Sequence, residues 1–446
     1  MRYLLQGDAE WYLPRILMVR VRIAPSPTGI PHIGNTRTAL FNFLFARRNN
    51  GEFLLRIEDT DRARFVPESE KAIYEILEWL GLKWDGKVIK QSQRLEIYKD
   101  HAEQLLKKGS AYKKEGAIHF EMPRTGETSW DDLIGNKHIS FKNETQEDFV
   151  IIKSDGFPTY NFANVVDDHL MEISHVIRGE EFISSTPKHI QLYKAFGWSP
   201  PDFAHLQIVL GPDRAQLSTM HGAKSILDFR KEGFLKEALL NYMALLGWRF
   251  AGQMENEERT PYVFPEREIM SLDFMILFFE LKDVNTTSPI FDIKKLEWMN
   301  GMYIRKSQIS NLKSQIWEYL DKKYPVETIG KTAPLIKDRI KKLSEYLLLC
   351  DFFFKEPEKY EIDLSGKKEM FRNIEIALEN LTEWDEIGIG EHMQKVAKDI
   401  GVKNREFFML LRVAVTGKKI SPPLNESMEI LGKEKVIKRI KKVQNL

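Results

Sequence analysis

Arg20-Val21-Arg22-Ile23-Ala24-Pro25-Ser26-Pro27-Thr28-Gly29-Ile30-Pro31-His32-Ile33-Gly34-Asn35 is the stretch on which the fold turns. Val19, Val21 and Ile23 alternate with Arg20 and Arg22, the period of a strand, which ends at Ala24 before a turn-rich run of Pro, Ser, Thr and Gly. From Thr36 the period changes: Ala39, Leu40, Phe43, Leu44 and Arg47 recur at threes and fours, a helix stopped by Asn49-Asn50-Gly51. A second strand, Phe53 to Ile57, follows at once. Strand, helix and strand in this order predict the crossover of a parallel, doubly wound sheet. Such sheets bind ligands at the carboxyl ends of their strands, where a helix N-terminus offers free N–H groups to an anion. Pro31 to Asn35 occupies that position, with His32 placed to bond a phosphate oxygen and Gly34 small enough to admit a nucleotide to the backbone. A lone His-x-Gly is a weak signal and counts only in context.

Working outward, Pro67 opens a helix carrying Ala72, Ile73, Ile76, Leu77 and Leu80 that stops at Gly81, and Leu95 to Leu106 repeats the pattern up to Gly109. Between Ala111 and Val150 short alternating segments predict a small mixed or β insertion. Phe149 to Lys153 and Glu172 to Ile177 read as strands and Pro187 to Phe196 as a helix. After Gly247-Trp248 no strand pattern remains, and residues 265–446 read as helices, among them Ile293 to Met299, Ile336 to Cys350, Glu369 to Leu381 and Lys433 to Val443. The expected fold is therefore an α/β Rossmann-type domain with a small α/β insertion, followed by an all-α C-terminal region.

Composition narrows the class. The chain has 446 residues, 66 Lys+Arg against 65 Asp+Glu, and is 43% hydrophobic, which excludes disordered and collagen-like chains. Its strongly apolar runs, such as Tyr346 to Phe354, fall far short of the roughly 18 residues a membrane span requires, so a soluble, cytoplasmic protein without membrane partners is expected. The single cysteine, Cys350, excludes an intramolecular disulfide framework and a Cys-rich zinc site, fits a reducing cytosol, and is expected to be a small buried hydrophobe. Residues 1–17 carry Asp8 and Glu10 and lack a secretory pattern, and Met18 directly precedes the first strand, so they read as a short extension to which no function is assigned. Gly401 to Leu446 holds 11 basic and 4 acidic residues, +7, which leaves −6 for the rest. Such a basic end is either the contact for a polyanion or a solvated helix face over Lys433 to Lys442.

Further motifs supply the context. Arg22 to Gly29, His32-Ile33-Gly34 and Arg56-Ile57-Glu58-Asp59-Thr60-Asp61 together resemble the class I aminoacyl-tRNA synthetases, specifically the bacterial glutamyl-tRNA synthetase family. Gly156 to Ala163, Val165 to His169, Val176 to Glu181, Ala238 to Tyr242, Trp298 to Gly301 and Leu411 to Gly417 follow in the family's order, so the resemblance runs from Val19 to near the C-terminus. It implies ATP-dependent activation of L-glutamate to glutamyl-adenylate and transfer of the glutamyl group to the terminal adenosine of a tRNA. A dicarboxylic amino acid calls for two guanidinium forks and one acid, a demand that Arg22, Arg178 and Glu58 meet. By the resemblance, Ala24, Ser26, Tyr160 and Asn164 complete the glutamate pocket, while His32, Gly34, Glu181 and Leu210 bind ATP. Arg412 in the helical third is expected to touch tRNA.

The resemblance also implies a division into an extension (1–17), the first half of the catalytic domain (18–110) and a shortened acceptor-binding insertion (111–170). The second half of the catalytic domain (171–248), a stem-contact helical domain (249–306) and an anticodon-binding helical domain (307–446) complete it. The expected co-substrate is ATP with Mg²⁺ brought along, without protein-bound zinc. Asp167-Asp168-His169, read as strand residues pointing to opposite faces, is not expected to hold a metal. The expected partners are L-glutamate, ATP and tRNA for glutamate, glutamine or both, and the expected state is a monomer.

One stretch departs from the family. Where its second signature places Lys-Leu-Ser-Lys-Arg before His-Gly, this chain has Gln216-Leu217-Ser218-Thr219-Met220-His221-Gly222, so both lysines that steady the pentavalent phosphate are absent. Two readings therefore stand: an active glutamate–tRNA ligase, and a catalytically reduced paralogue that binds tRNA or glutamate in a regulatory or scaffolding role. Arg214 and Lys224 flank the loop, but neither occupies a signature position. Losing one preorganised donor costs on the order of 10² to 10³ in rate, so adenylate formation is expected to be slow. Restoring both lysines (Gln216→Lys with Thr219→Lys) is predicted to raise glutamate-dependent pyrophosphate exchange by at least about 10²-fold; an unchanged rate would show that the loop does not limit the chemistry.

Overall fold

The computed structural model describes residues 18–217, 224–249 and 268–446. The chain forms two compact units, one built on the chain up to Leu227 and again over Leu240–Asp292, the other on Asp228–Leu239 and Ile293–Leu446.

The first unit begins with the predicted crossover. Strand β1 (Arg20–Ile23) is followed by α1 (Ile33–Arg48) and β2 (Glu52–Ile57), and β2 lies parallel to β1 with Arg22 opposite Leu54. Val21 and Arg22 are both buried, as expected of a parallel strand covered on two faces. Helix α1 is closed by Asn49, and Gly51 then passes so near β1 that a Cβ there would stand 2.1 Å from the carbonyl oxygen of Val19. Only glycine fits that backbone approach. Next come α2 (Pro67–Leu80), β3 (Ile89–Lys90), which extends the ladder to β1-β2-β3, and α3 (Leu95–Lys107).

The insertion is β-rich but does not stay apart. Strands β4 (Ala111–Lys114), β5 (Ala117–Phe120) and β8 (Phe149–Ile152) form an antiparallel sheet of their own. The hairpin β6 (Glu127–Asp132) and β7 (Lys137–Lys142) instead joins β9 (His175–Gly179) and β10 (Asp202–Leu206) in the order β7-β6-β10-β9, parallel from β6 to β9. Helices α4 (Tyr160–Leu170) and α5 (Thr186–Phe196) flank this half. Ser174 ties the two halves: its N–H and hydroxyl both donate to the carbonyl of Arg20, and its hydroxyl accepts from the Arg20 N–H. Beyond that clamp lies a cleft lined by Ile23 of β1 and Ile177 of β9, among others.

Two expectations are corrected here. Val165 to His169 lies in helix α4, not in a strand. Tyr160, Asn164, Asp167 and Asp168 fall at i, i+4, i+7 and i+8, one face of that helix, so the polar period was helical. Arg178 lies inside β9 rather than after the strand-like segment.

The chain leaves the first unit within α6 (Ile226–Lys231) and returns within α7 (Lys236–Leu245), followed by α8 (Leu272–Phe278). The second unit continues with α9 (Ile293–Lys306), α10 (Ile309–Tyr319), α11 (Val326–Ile336), α12 (Glu345–Cys350), α13 (Lys368–Glu379), α14 (Glu386–Asp399), α15 (Asn404–Thr416), α16 (Leu424–Leu431) and α17 (Lys433–Val443). Ile336 to Cys350 is thus not a single helix: α11 ends at Ile336 two residues after Pro334, and α12 starts at Glu345. Cys350 is buried, and burial pushes its thiol up to about 12, which leaves an inert small hydrophobe. No helix among the described residues is long and apolar enough to cross a membrane.

The core of the second unit gathers Leu312, Ile316, Ile329, Phe371, Ile374, Leu411 and Ile440. Phe371→Ala in α13 is predicted to cost about 3–5 kcal/mol in denaturant unfolding of this unit. Ile376→Ala, on the same helix but 48% exposed, should stay within about 0.5 kcal/mol.

Candidate active site

The cleft has a volume of about 780 Å³ and lies at the carboxyl ends of β1, β2 and β9. Of the expected glutamate-binding residues, Arg22, Ala24, Ser26, Glu58, Tyr160, Asn164 and Arg178 all line it, and His32 and Glu181 do so from the expected ATP set. Its shape begins with the turn after β1. The Ser26 hydroxyl donates to the carbonyl of Glu58 at 3.0 Å and the Glu58 N–H donates to the carbonyl of Pro25 at 3.0 Å, so the turn is fastened to the end of β2.

Beneath the floor lies a buried charge cluster. Asp168 accepts from Nε and Nη2 of Arg22 at 2.9 and 3.2 Å and from Nη1 of Arg56 at 2.6 Å. Arg56 also donates through Nε and Nη2 to Oε1 of Glu58 at 3.3 and 3.0 Å. Asp167 accepts from Arg94, Gln91 and Tyr98 at 2.8, 2.9 and 2.7 Å. Burial alone would raise the Asp168 carboxyl, but Arg22 and Arg56 overcome it and hold that group at about 2. At Glu58 burial wins over Arg56, and the carboxyl is pushed above its usual range. Its bonds to Arg56 and Asn164 all fall on Oε1 and leave Oε2 outside the network, while Oδ1 of Asn164 is buried without a partner. Two acceptors in want of a donor therefore face one cavity.

Arg178 presents the opposite demand. It is 4% exposed, and every contact it makes is to a neutral acceptor: Nε to His205 at 3.2 Å, Nη2 to Thr186 at 2.7 Å and to the carbonyl of Phe182 at 3.3 Å, Nη1 to His189 at 3.3 Å. The Nη1 contact to the Tyr160 hydroxyl is long, 3.5 Å, and both residues line the cleft. Phe182 and Phe203 lie against the guanidinium plane at 5.5 and 5.6 Å. Among the described residues no carboxylate pairs with this buried cation, a costly state that an entering anion relieves.

Another wall of the cleft is built by the start of α1. His32 is the N-cap: its Nδ1 accepts from the Gly34 N–H at 3.1 Å, while Asn35 Oδ1 accepts from the His32 N–H. Burial lowers the His32 pKa, so the ring caps the helix as neutral imidazole. Gly34 does not itself line the cleft; a Cβ there would lie 3.0 Å from the His32 ring, so its small size serves the cap. Thr36 Oγ1, one turn on, is buried without a partner. At the opposite wall Gly179 leaves room for the Glu181 side chain, whose Oε2 would lie 2.0 Å from a Cβ.

Leu210 stands outside the cleft, in backbone bridges to Gln216 and Ile290. Gln216 is exposed and Leu217 buried, with the Leu217 N–H donating to the carbonyl of Val209. The described residues resume at Lys224, and the next residue, Ser225, bridges to His32. Ser218, Thr219 and Met220 lie outside the described residues.

In the second unit Arg412 is half-buried and donates through Nη1 to the Ser421 hydroxyl and the carbonyl of Pro422. The basic tail is also partly engaged within its own unit: Lys438 pairs with Glu356, Lys441 with Glu375 and Glu379, and Lys433 and Lys442 donate to backbone carbonyls. Residues that the sequence reading did not single out are Arg56, His189, His205 and Asp132; the helical spacing in α4 was the one signal that could have exposed the partners of Arg56.

Removing the anion at the centre of this network should be severe. Asp168→Asn leaves Arg22 and Arg56 without their shared carboxylate and is predicted to cost about 3–5 kcal/mol in unfolding free energy. The folded pKa of Asp168 lies below its usual 3.8, so the stability it contributes is present above that pH and is lost as pH falls through about 2. Acid-unfolding curves of the variant should be flatter than those of the unsubstituted chain in that window.

Comparison with known proteins agrees with this geometry. Residues 18–118 and 114–298 match the family described as tRNA synthetases class I (E and Q), catalytic domain, and residues 308–444 match an anticodon binding domain. A glutamate–tRNA ligase of Dehalococcoides mccartyi (strain ATCC BAA-2266 / KCTC 15142 / 195) is 40% identical over 482 residues, covering 95% of this chain and 97% of its own. That of Treponema denticola is 38% identical, covering 96% and 99%. The crystal structure of a glutamate tRNA ligase from Elizabethkingia meningosepticum CCUG26117 in complex with its amino acid superposes with a TM-score of 0.80 at 31% identity, covering 96% of this chain and 99% of that one. A cleft at the carboxyl ends of parallel strands, a helical unit after it and these likenesses along nearly the whole length place the chain in the glutamate–tRNA ligase family of class I synthetases.

Proposed function

We propose that the cleft binds L-glutamate beside ATP, joins them as glutamyl-adenylate with release of pyrophosphate, and passes the glutamyl group to the terminal adenosine of a tRNA. The observation that carries this reading is Arg178, a buried guanidinium whose partners are all neutral. A substrate carboxylate supplies the missing charge along its Nη1 edge. Arg22, held by Asp168 through Nε and Nη2, turns its remaining nitrogen to the second carboxylate, and Glu58 Oε2 with Asn164 Oδ1 accepts from the ammonium. Ala24, Ser26 and Tyr160 shape the pocket around the substrate.

On the nucleotide side, His32 and Gly34 close the cap of α1 between them, and the remaining N–H groups of that first turn are offered to the phosphates. Glu181 lies by the ribose or adenine, and Leu210 orders the base of the loop over Gln216, Leu217, Ser218, Thr219 and Met220. Mg²⁺ enters with ATP and no zinc is bound by the protein. The division into residues 1–17, 18–110, 111–170, 171–248, 249–306 and 307–446 then follows the order extension, catalytic, acceptor, catalytic, stem and anticodon. Arg412 shapes the anticodon face by fastening the Ser421-Pro422 turn. The protein works as a cytoplasmic monomer on tRNA for glutamate, glutamine or both. The departure at Gln216 and Thr219 is the observation that favours the second reading, a catalytically reduced paralogue; aminoacylation assays with each tRNA separate the two.

Arg178→Lys keeps the charge but loses the fork and is expected to lower kcat/KM for glutamate about 10²-fold. Because the Glu58 carboxyl titrates above its usual 4.5, it loses its charge first as pH falls. Glutamate affinity measured by calorimetry should weaken with falling pH from above that value. Affinity that is flat with pH, or indifferent to Arg178→Lys, would remove the carboxylate-and-ammonium reading of the pocket.

A further inference from the structure

Arg178 on β9 stands opposite His205 on β10 in the parallel ladder, and Asp132 ends β6, the next strand over. All three side chains are 4% exposed or less. Asp132 Oδ1 accepts from the N–H groups of Ile134 and His205 at 3.0 and 3.2 Å, and its Oδ2 faces His205 Nδ1. An ionised carboxylate can only accept, so Nδ1 carries the proton. Burial disfavours a second proton on this ring, against the pull of Asp132, with Arg178 adding to burial and Glu180 opposing it. His205 Nε2 is therefore a bare lone pair, and it faces Nε of Arg178 and Oγ1 of Thr186, each at 3.2 Å.

We propose that Asp132 is a positioning residue for glutamate: by dictating the His205 tautomer it keeps an acceptor against Nε of Arg178, which sets the guanidinium plane and presents its Nη1 edge to the cleft. The hairpin β6–β7, contributed by the inserted segment, thereby completes the amino-acid site without touching substrate. This rests on the reading that Arg178 receives a substrate carboxylate. Replacing Asp132 with Asn reverses the pattern. The Asn oxygen keeps the two backbone donors, its NH₂ meets Nδ1, and the ring proton moves to Nε2, where it confronts the Nε–H of Arg178.

The test is steady-state aminoacylation by the full chain. Asp132→Asn is expected to raise KM for glutamate about 10- to 100-fold, leaving kcat and KM for ATP within about threefold. His205→Asn keeps a donor at the Nδ1 position facing Asp132 and deletes only the Nε2 acceptor; it is expected to raise KM for glutamate alike, and serves if Asp132→Asn folds poorly. In an Arg178→Lys background Asp132→Asn should add nothing further. Nitrogen-15 spectra should show Nε2 of His205 unprotonated in the unsubstituted chain and protonated in Asp132→Asn. An unmoved glutamate KM in both variants, additive effects in the Arg178→Lys background, or an unchanged tautomer overturns the relay alone. A glutamate KM indifferent to Arg178→Lys overturns the reading of the pocket with it.

Discussion

The buried pairing of Arg56 with Asp168 is the contact on which the rest of this site depends. Arg56 is on β2, Asp168 on α4 and Arg22 on β1, so one carboxylate shared by two guanidiniums ties three elements remote in sequence. Taking such charges out of water costs several kcal/mol per ion, and only near-complete pairing repays it. A cluster of this kind contributes specificity of arrangement more than net stability. Here it aims Arg22 and Glu58 at the same cavity, each with one atom outside the network.

Arg178 is preorganised by different means. It is packed between Phe182 and Phe203 and held by His205, His189, Thr186 and a carbonyl, none of which bears negative charge. A guanidinium oriented in this way loses little rotamer freedom when an anion arrives, and the low polarity around it strengthens the attraction. The two arginines of the pocket thus differ: Arg22 is neutralised and positioned by its counter-ion, whereas Arg178 is fixed by neutral groups and has no paired carboxylate among the described residues. At the start of α1, His32 accepts from the Gly34 N–H, and Asn35 and Thr36 of the same turn line the cleft.

In the helical unit, charge does structural work that composition conceals. Arg439 donates to the carbonyls of Val415, Phe352 and Lys355, and Arg339 and Arg412 converge on the Ser421 segment. Much of the C-terminal basic excess therefore closes helix ends and turns.

The first crossover, the helical character of the C-terminal third and the residues Arg22, Glu58, Tyr160 and Arg178 were all legible from the chain, because period, capping and turn chemistry are local properties and those motifs recur in a fixed order. Residues whose role arises from pairing across elements were not legible. The grouping of Asp168 with Arg22 and Arg56, separated by 146 and 112 positions, has no local signature, and reading α4 as a strand hid the face on which it sits. The joining of β6 to β10, which brings Asp132 to His205, is a choice of strand neighbour that no periodicity encodes. What the sequence by itself determined was the first crossover, the helical character of the C-terminal third and which side chains are candidates for the site. The tertiary structure alone decided which buried charges are neutralised by a carboxylate and which meets only neutral groups, because burial and partnership are properties of the packed whole.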